Sequence, residues 1–66
     1  MEIVLNGQRR EIGSDTTLEE LLEALGLGGK RLAVEVNEKV VPRSLFAERR
    51  LSGGDRIEIV HAIGGG

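Results

Sequence analysis

The chain has 66 residues, no cysteine and a net charge of −2, with both signs interspersed along its length. A chain this short forms one domain without a deep pocket of its own, and the lack of cysteine excludes disulfides, thiol nucleophiles and cysteine-based metal sites. The mixed charge and the single aromatic residue, Phe46, argue against a nucleic-acid interface, and no apolar run approaches a membrane span. We therefore expect a soluble, cytoplasmic protein that binds neither nucleic acid nor membranes.

The first elements are two strands joined by a tight turn. Ile3 and Leu5 alternate with less apolar or polar neighbours, which is the period of a strand with one buried face. Asn6-Gly7 follows, and this pair favours the hairpin turn in which both residues have positive φ. The returning strand is predicted over residues 8–12.

A helix is predicted next, over about residues 17–25. Thr16 and Glu19 have the spacing of a capping box, in which each side chain bonds the backbone amide of the other. Gly26 is suited to end the helix in the left-handed conformation, with Leu27 folding back over the last turn. Four leucines at helical spacing form the face that we expect to be buried: Leu18, Leu21, Leu22 and Leu25.

The second half of the chain predicts three more strands. Large apolar residues alternate with small or polar ones over residues 32–36, which predicts a strand. Asn37-Glu38 then turns the chain, and residues 39–41 form a short strand that Pro42 ends. Residues 43–50 predict a short helical turn whose Leu45 and Phe46 plug one end of the core. Residues 56–62 then form the last strand, and Asp55 before it is interpreted as a turn residue that uses its side chain locally.

This order predicts an α+β fold with about five strands in a mixed sheet and one main helix on one face. Residues 1–62 would form the single domain, and residues 63–66 a flexible glycine tail. If the first and last strands pair in the middle of the sheet, the tail leaves from a rigid central strand.

The best candidate for a chemical role is the predicted tail, Ile63-Gly64-Gly65-Gly66. Four extended residues reach roughly 13–14 Å, and glycine alone is thin enough to pass a narrow channel without steric cost. The Gly66 α-carboxylate at its end is ionised at neutral pH and is a competent oxygen nucleophile. The alternative interpretation is an ordinary frayed terminus.

Three segments carry a resemblance to a known family: VNEKVVPR at residues 36–43, LSGGDRIEI at 51–59 and AIGGG at 62–66. Together, in this order and over the whole length, they resemble the ubiquitin-like sulfur carrier proteins of the ThiS/MoaD family, and most of all those of thiamine biosynthesis. The resemblance implies the β-grasp (ubiquitin-like) fold.

The resemblance also implies a chemistry in which the protein is a co-substrate and not an enzyme. A ThiF-type, E1-like adenylating enzyme would use ATP to activate Gly66. A sulfur donor such as a cysteine desulfurase would convert it to a thiocarboxylate, and a ThiG-type thiazole synthase would accept the sulfur. Ile63, Gly64 and Gly65 would enter the partner's active site, and no cofactor would be bound stably. The alternatives are the small subunit of molybdopterin synthase, a conjugating modifier, and a β-grasp interaction module with an inert tail.

Two valines predict a docking patch for the adenylating enzyme. If the isoleucines of the last strand are buried, Val60 points to the opposite face, and Val4 in the first strand has the same orientation. We expect Val4 and Val60 to form a small apolar patch beside the tail, although isolated surface valines are also ordinary. The sequence contains one histidine, His61, and a single histidine does not make a metal site, so we expect none.

Overall fold

A computed structural model of the chain describes residues 1–61. The strands are β1 (Glu2–Leu5), β2 (Gln8–Glu11), β3 (Leu32–Val36), β4 (Lys39–Val40) and β5 (Arg56–His61), with the helix α1 (Leu18–Ala24) and a 3₁₀ turn (Arg43–Leu45) between them. They form one sheet in the order β2-β1-β5-β3-β4. β1 and β5 are parallel, and the remaining pairs are antiparallel. The predicted α+β architecture, with the first and last strands paired at the centre, is confirmed.

Both predicted strand-to-strand turns are present. Asn6 and Gly7 have φ of 48° and 83°, the conformation that the Asn-Gly pair favours in a two-residue hairpin. Asn37 and Glu38 also have positive φ, 52° and 71°. This conformation is uncommon for glutamate, and the adjacent Asn37 is anchored by contacts described below.

The helix begins one residue later than predicted. Thr17, not Thr16, is the N-cap: the Glu20 amide donates to the Thr17 hydroxyl at 3.1 Å, and the Thr17 amide donates to the Glu20 carboxylate at 2.9 Å. Thr16 is engaged elsewhere, because its carbonyl accepts from the Leu51 amide at 2.9 Å. The two threonines are followed by two glutamates at equal spacing, so their spacing does not decide between them. The Glu19 amide, which Thr16 would cap, donates instead to the Phe46 carbonyl at 3.0 Å, and the Thr16 hydroxyl donates to the Gly13 carbonyl.

The end of the helix agrees with the prediction. Gly26 has φ of 75°, and its amide donates to the Glu23 carbonyl at 3.0 Å. The Leu27 amide donates to the Leu22 carbonyl at 2.8 Å. These are the two bonds of a Schellman ending, and they satisfy helix carbonyls that would otherwise lack partners.

The core lies between α1 and one face of the sheet. Phe46 is buried as predicted, but Leu45 is 45% exposed, so its predicted role as a plug is wrong. Leu45 is the last residue of the 3₁₀ turn and Phe46 is its C-cap, and only the Phe46 side chain is buried. The buried apolar residues are Ile3, Leu18, Leu21, Leu22, Val34, Val36, Phe46, Leu51, Ile57 and Ile59.

No helix within residues 1–61 has the length and apolar character needed to cross a bilayer.

Candidate functional site

The strand that leads to the glycine tail, β5, is the best anchored strand of the sheet. It lies between β1 and β3, and β3 pairs with it from Ile57 through His61. Ile57 and Ile59 are 1% and 8% exposed, so burial fixes the strand on its helix-facing side. The chain therefore reaches His61 on a rigid support. The predicted tail residues Ile63, Gly64, Gly65 and Gly66 lie outside the described residues.

Asn6 connects the first hairpin to the second half of β5. Its backbone amide donates to the Ile57 carbonyl at 2.8 Å, and its side-chain oxygen accepts from the Ile59 amide at 2.8 Å. β1 ends at Leu5, so it offers no backbone carbonyl to the Ile59 amide. The side-chain oxygen of Asn6 accepts that hydrogen bond instead. The sequence predicts only the turn at Asn6, because the contact with Ile59 spans 53 residues.

Asp55 fixes the beginning of β5. It is 8% exposed, and its carboxylate accepts from the Ser52 amide at 2.8 Å and from the Asn37 side-chain nitrogen at 2.9 Å. The Asn37 side-chain oxygen in turn accepts from the Arg56 amide at 2.9 Å. The predicted local use of the Asp55 side chain is confirmed by Ser52. The link to Asn37 was missed, because no local pattern shows that the β3–β4 turn meets the start of β5.

Val4 and Val60 share the sheet face opposite the helix, but the register separates them. Val4 pairs with Arg56, four residues before Val60 on β5, which corresponds to about 13 Å along the strand. Val60 is 61% exposed and lies opposite Ala33, whereas Val4 is half-buried. The expectation of a single patch that joins the two valines is therefore wrong. At the end of β5, the exposed apolar residues of this face are Val60 and Ala33, which we call the open-face patch.

Carboxylates border the open-face patch. Glu58 and Glu35 lie directly opposite each other on β5 and β3, and both are exposed. Like charges in this position repel, and among residues 1–61 neither carboxylate forms a salt bridge. The surface at the end of β5 is thus a small apolar area with two carboxylates on one side, while Arg31 and Arg43 lie beside Ala33 on another side.

The described residues offer little support for chemistry of their own. Within residues 1–61, no group of three or more His, Cys, Asp or Glu side chains is arranged to hold a metal ion. A pocket of about 100 Å³ lies between α1 and the loop that follows it, lined among others by Leu22, Leu27 and Phe46. It is smaller than the roughly 300–1,000 Å³ of ordinary ligand sites. Two shallower clefts, one beside Ala33 and one beside Asp15, have volumes of about 400 Å³ and 420 Å³. The features of interest are therefore the anchored β5 and the tail that follows it.

Comparison with known proteins identifies the family. The model of the ThiS family matches residues 3–66. The sulfur carrier protein ThiS of Escherichia coli is 33% identical over 66 residues, which is the full length of both chains. The chain belongs to the ThiS family. The crystal structure of the thiamine biosynthesis protein ThiS from Geobacter metallireducens superimposes with a TM-score of 0.86 at 29% identity, and each chain is covered completely. The fold is thus the β-grasp fold of ThiS proteins.

A second kind of relative is a much longer protein. A thiazole synthase of Paramagnetospirillum magneticum is 42% identical over all 66 residues of this chain. The chain spans 20% of the length of that relative. A ThiS-like segment therefore occurs inside a protein that bears the name of a thiazole synthase.

Proposed function

We propose that the protein is a sulfur carrier of thiamine biosynthesis, and that the Gly66 carboxylate is the group that carries the sulfur. The observation that carries the proposal is the match to the ThiS family, which extends through the terminal glycines to residue 66. The position of β5 supports it, because a tail that must reach a partner's active site benefits from a rigid starting point.

The proposed chemistry has two steps. A carboxylate oxygen of Gly66 attacks the α-phosphorus of ATP on an E1-like adenylating enzyme, and pyrophosphate leaves. Sulfide then attacks the acyl carbon and AMP leaves, which yields the thiocarboxylate. A persulfide, formed for example by a cysteine desulfurase, gives the same product after a thiol cleaves the resulting acyl disulfide. The carrier supplies the acyl group, and its partners supply the catalysis and the ATP.

Glycine is suited to both steps because it leaves the acyl carbon unhindered. A side chain at Gly65 or Gly66 would fill space that the channel of the adenylating enzyme must leave for the nucleotide and the sulfur donor. Ile63, Gly64 and Gly65 therefore form the part of the tail that enters the partner, and Gly66 is the reacting residue.

We infer that a thiazole synthase accepts the sulfur. The thiazole synthase of Paramagnetospirillum magneticum supports this, because a segment 42% identical to this chain forms part of it. Joining a carrier to its acceptor in one chain raises their effective concentration. The family match also favours the thiamine branch over the small subunit of molybdopterin synthase. A cytoplasmic location remains a prediction.

For docking of the adenylating enzyme, we propose the open-face patch of Val60 and Ala33. The patch adjoins His61, the last described residue before the tail. An enzyme that binds the patch would therefore need only a short distance between its docking surface and the channel that takes the tail. Glu58 and Glu35 beside it, which form no salt bridge within residues 1–61, would be complementary to basic residues on the enzyme.

The Gly65→Val variant tests the adenylation step. We expect it to fold as the parent does, because the sequence predicts that Gly65 belongs to the tail and not to the domain, and to lose ATP–pyrophosphate exchange by the adenylating enzyme. The control is Gly53→Ala, a glycine in an exposed turn with open space around its Cβ position. Exchange at the parental rate with the Gly65→Val protein would refute the proposed route of the tail.

A further inference from the structure

The turn between β1 and β2 brings together the two groups of an intramolecular reaction. Asn6 carries a carboxamide, and the amide nitrogen of Gly7 is a nucleophile that no side chain hinders. Both residues are exposed, and a Cβ atom at Gly7 would meet nothing within 4 Å. The Gly7 amide donates to no other residue of the described part of the chain, 1–61. Water and hydroxide therefore have free access to this amide.

The reaction that these groups can undergo is loss of the side-chain ammonia. Hydroxide removes the proton of the Gly7 amide, and the nitrogen attacks the Cγ carbon of Asn6. The bond between Cγ and Nδ2 breaks, and ammonia leaves with a proton from water, which yields a cyclic imide. Water then opens the imide at one of its two carbonyl carbons. Attack at Cγ gives aspartate, whereas attack at the main-chain carbon gives isoaspartate, in which the main chain runs through Cβ and Cγ.

The conformation of the turn opposes the attack. The φ angles of Asn6 and Gly7, 48° and 83°, and the pairing of Leu5 with Gln8 define a two-residue turn of type I′. The first residue of such a turn has a ψ angle of about +30°. At this angle the Gly7 nitrogen lies on the side of the Cα–C bond away from Cβ, whereas ring closure requires both atoms on the same side. The turn therefore has to open before the reaction can occur.

The carboxamide of Asn6 is also held in place by the last strand. Its Oδ1 atom accepts from the amide of Ile59, a buried residue of β5, at 2.8 Å. This bond polarises the carboxamide and would favour attack by a nitrogen within reach, but it also fixes the group on β5. Because the turn keeps the nitrogen out of reach, we expect the bond to restrain the reaction.

We propose that Asn6 is a site of spontaneous covalent modification to isoaspartate, that the turn and the Ile59 bond restrain this reaction in the folded protein, and that the product loosens the second half of β5. Isoaspartate lengthens the main chain within a two-residue turn, and the carbonyl that accepted from Ile59 becomes part of that main chain. Aspartate, in contrast, leaves an oxygen in the position of the acceptor. The inference does not depend on the proposed function.

A comparison of modification rates tests the restraint. The folded protein and a synthetic peptide of residues 1–9, whose strands are not stable as an isolated hairpin, would be aged together at mildly alkaline pH. Isoaspartate would be measured by peptide mass spectrometry and labelling with an isoaspartyl methyltransferase. We expect Asn6 to react at least about tenfold more slowly in the protein, since opening costs at least one hydrogen bond. Equal rates, or a faster rate in the protein, would overturn the proposed restraint, and an unmodified Asn6 in both samples would overturn the site.

The other asparagine of the chain, Asn37, is the internal control for these rates. It also lies in a turn with positive φ, but Glu38 follows it, and the glutamate side chain hinders the attacking nitrogen. Its carboxamide is bonded on both sides, to the Asp55 carboxylate and the Arg56 amide. We expect Asn37 to stay unmodified in the protein, and reaction at both asparagines at similar rates would overturn the assignment of a specific site.

The effect on β5 is tested by comparing two products of known structure. The isoaspartyl protein would be separated from the aged sample, and Asn6→Asp supplies the aspartyl form. We expect the Ile59 amide to exchange about tenfold faster in the isoaspartyl protein than in Asn6→Asp, and the melting temperature to be lower by about 4 °C or more. Equal exchange rates and equal melting temperatures in the two proteins would overturn the proposed effect on β5.

Discussion

Replacing Asp55 with alanine removes the acceptor of two hydrogen bonds that hold the start of β5. The carboxylate is 8% exposed, and it is the buried charged group within residues 1–61. Its loss leaves the Ser52 amide and the Asn37 side-chain nitrogen without their partner. Hydrogen bonds to charged groups contribute about 1.5–3 kcal/mol each, and both donors lie near enough to the surface to regain some water. We therefore expect Asp55→Ala to lower the free energy of unfolding by about 2–4 kcal/mol.

This loss is large for so small a domain. A chain of this length has a free energy of unfolding of about 3–10 kcal/mol, and each kcal/mol corresponds to about 4–8 °C in melting temperature. Urea denaturation followed by circular dichroism measures the difference. Glu48→Ala is the matched control, because Glu48 is exposed and forms none of the side-chain bonds or salt bridges found within residues 1–61. The control should change stability by less than about 0.5 kcal/mol.

A double-mutant cycle with Asn37→Ala isolates the contact itself. Asn37 has positive φ, so its alanine variant also carries backbone strain, but that strain is present in both arms of the cycle and cancels. We expect a coupling free energy of about 1 kcal/mol or more. Additive effects, or an Asp55→Ala variant as stable as the Glu48→Ala control, would refute the assigned role of Asp55.

Two further predictions concern the surface and the strand that carry the tail. Val60→Asp should weaken binding of the adenylating enzyme by about tenfold or more in titration calorimetry, because it buries a charge in the proposed interface. Val40→Asp, on the same face but at the sheet edge and 69% exposed, is the control, and equal affinities of the two variants would exclude the open-face patch. Asn6→Gly keeps a residue that tolerates positive φ but removes the acceptor of the Ile59 amide. Exchange of that amide should accelerate by about tenfold, and an unchanged rate would show that the carboxamide does not hold β5.

Much of the fold is predictable from the sequence because local signals agree with one another. Asn6-Gly7 fixes a hairpin, and Gly26 with Leu27 fixes the end of the helix. Of the four leucines predicted to be buried, Leu18, Leu21 and Leu22 are buried, whereas Leu25 is half-buried at the C-cap. The sheet order depends on one longer inference, the pairing of the first and last strands. The sequence analysis considered this pairing only as a condition, because alternation identifies strands but not their neighbours in the sheet.

The features that sequence reasoning missed depend on contacts between distant segments. The capping threonine is Thr17 because the Glu19 amide, which Thr16 would cap, donates to the distant Phe46 carbonyl, a contact that no local pattern contains. The Asn37–Asp55 bond spans 18 residues. The predicted Val4–Val60 patch failed because alternation gives the face of a strand but not its register against a neighbour. Val4 lies beside Arg56 in the pairing observed.

The measurement that tests the central proposal most directly is intact-mass analysis with fragmentation of the tail. The protein would be incubated with ATP, the adenylating enzyme and sulfide, and the enzyme would be left out of the control reaction. The proposal predicts that one oxygen is replaced by sulfur at Gly66, and that a thiol-alkylating reagent modifies this group. Fragmentation is essential, because oxidation of Met1 adds nearly the same mass. An unmodified Gly66, with an enzyme that is active on another ThiS protein, would contradict the sulfur-carrier function.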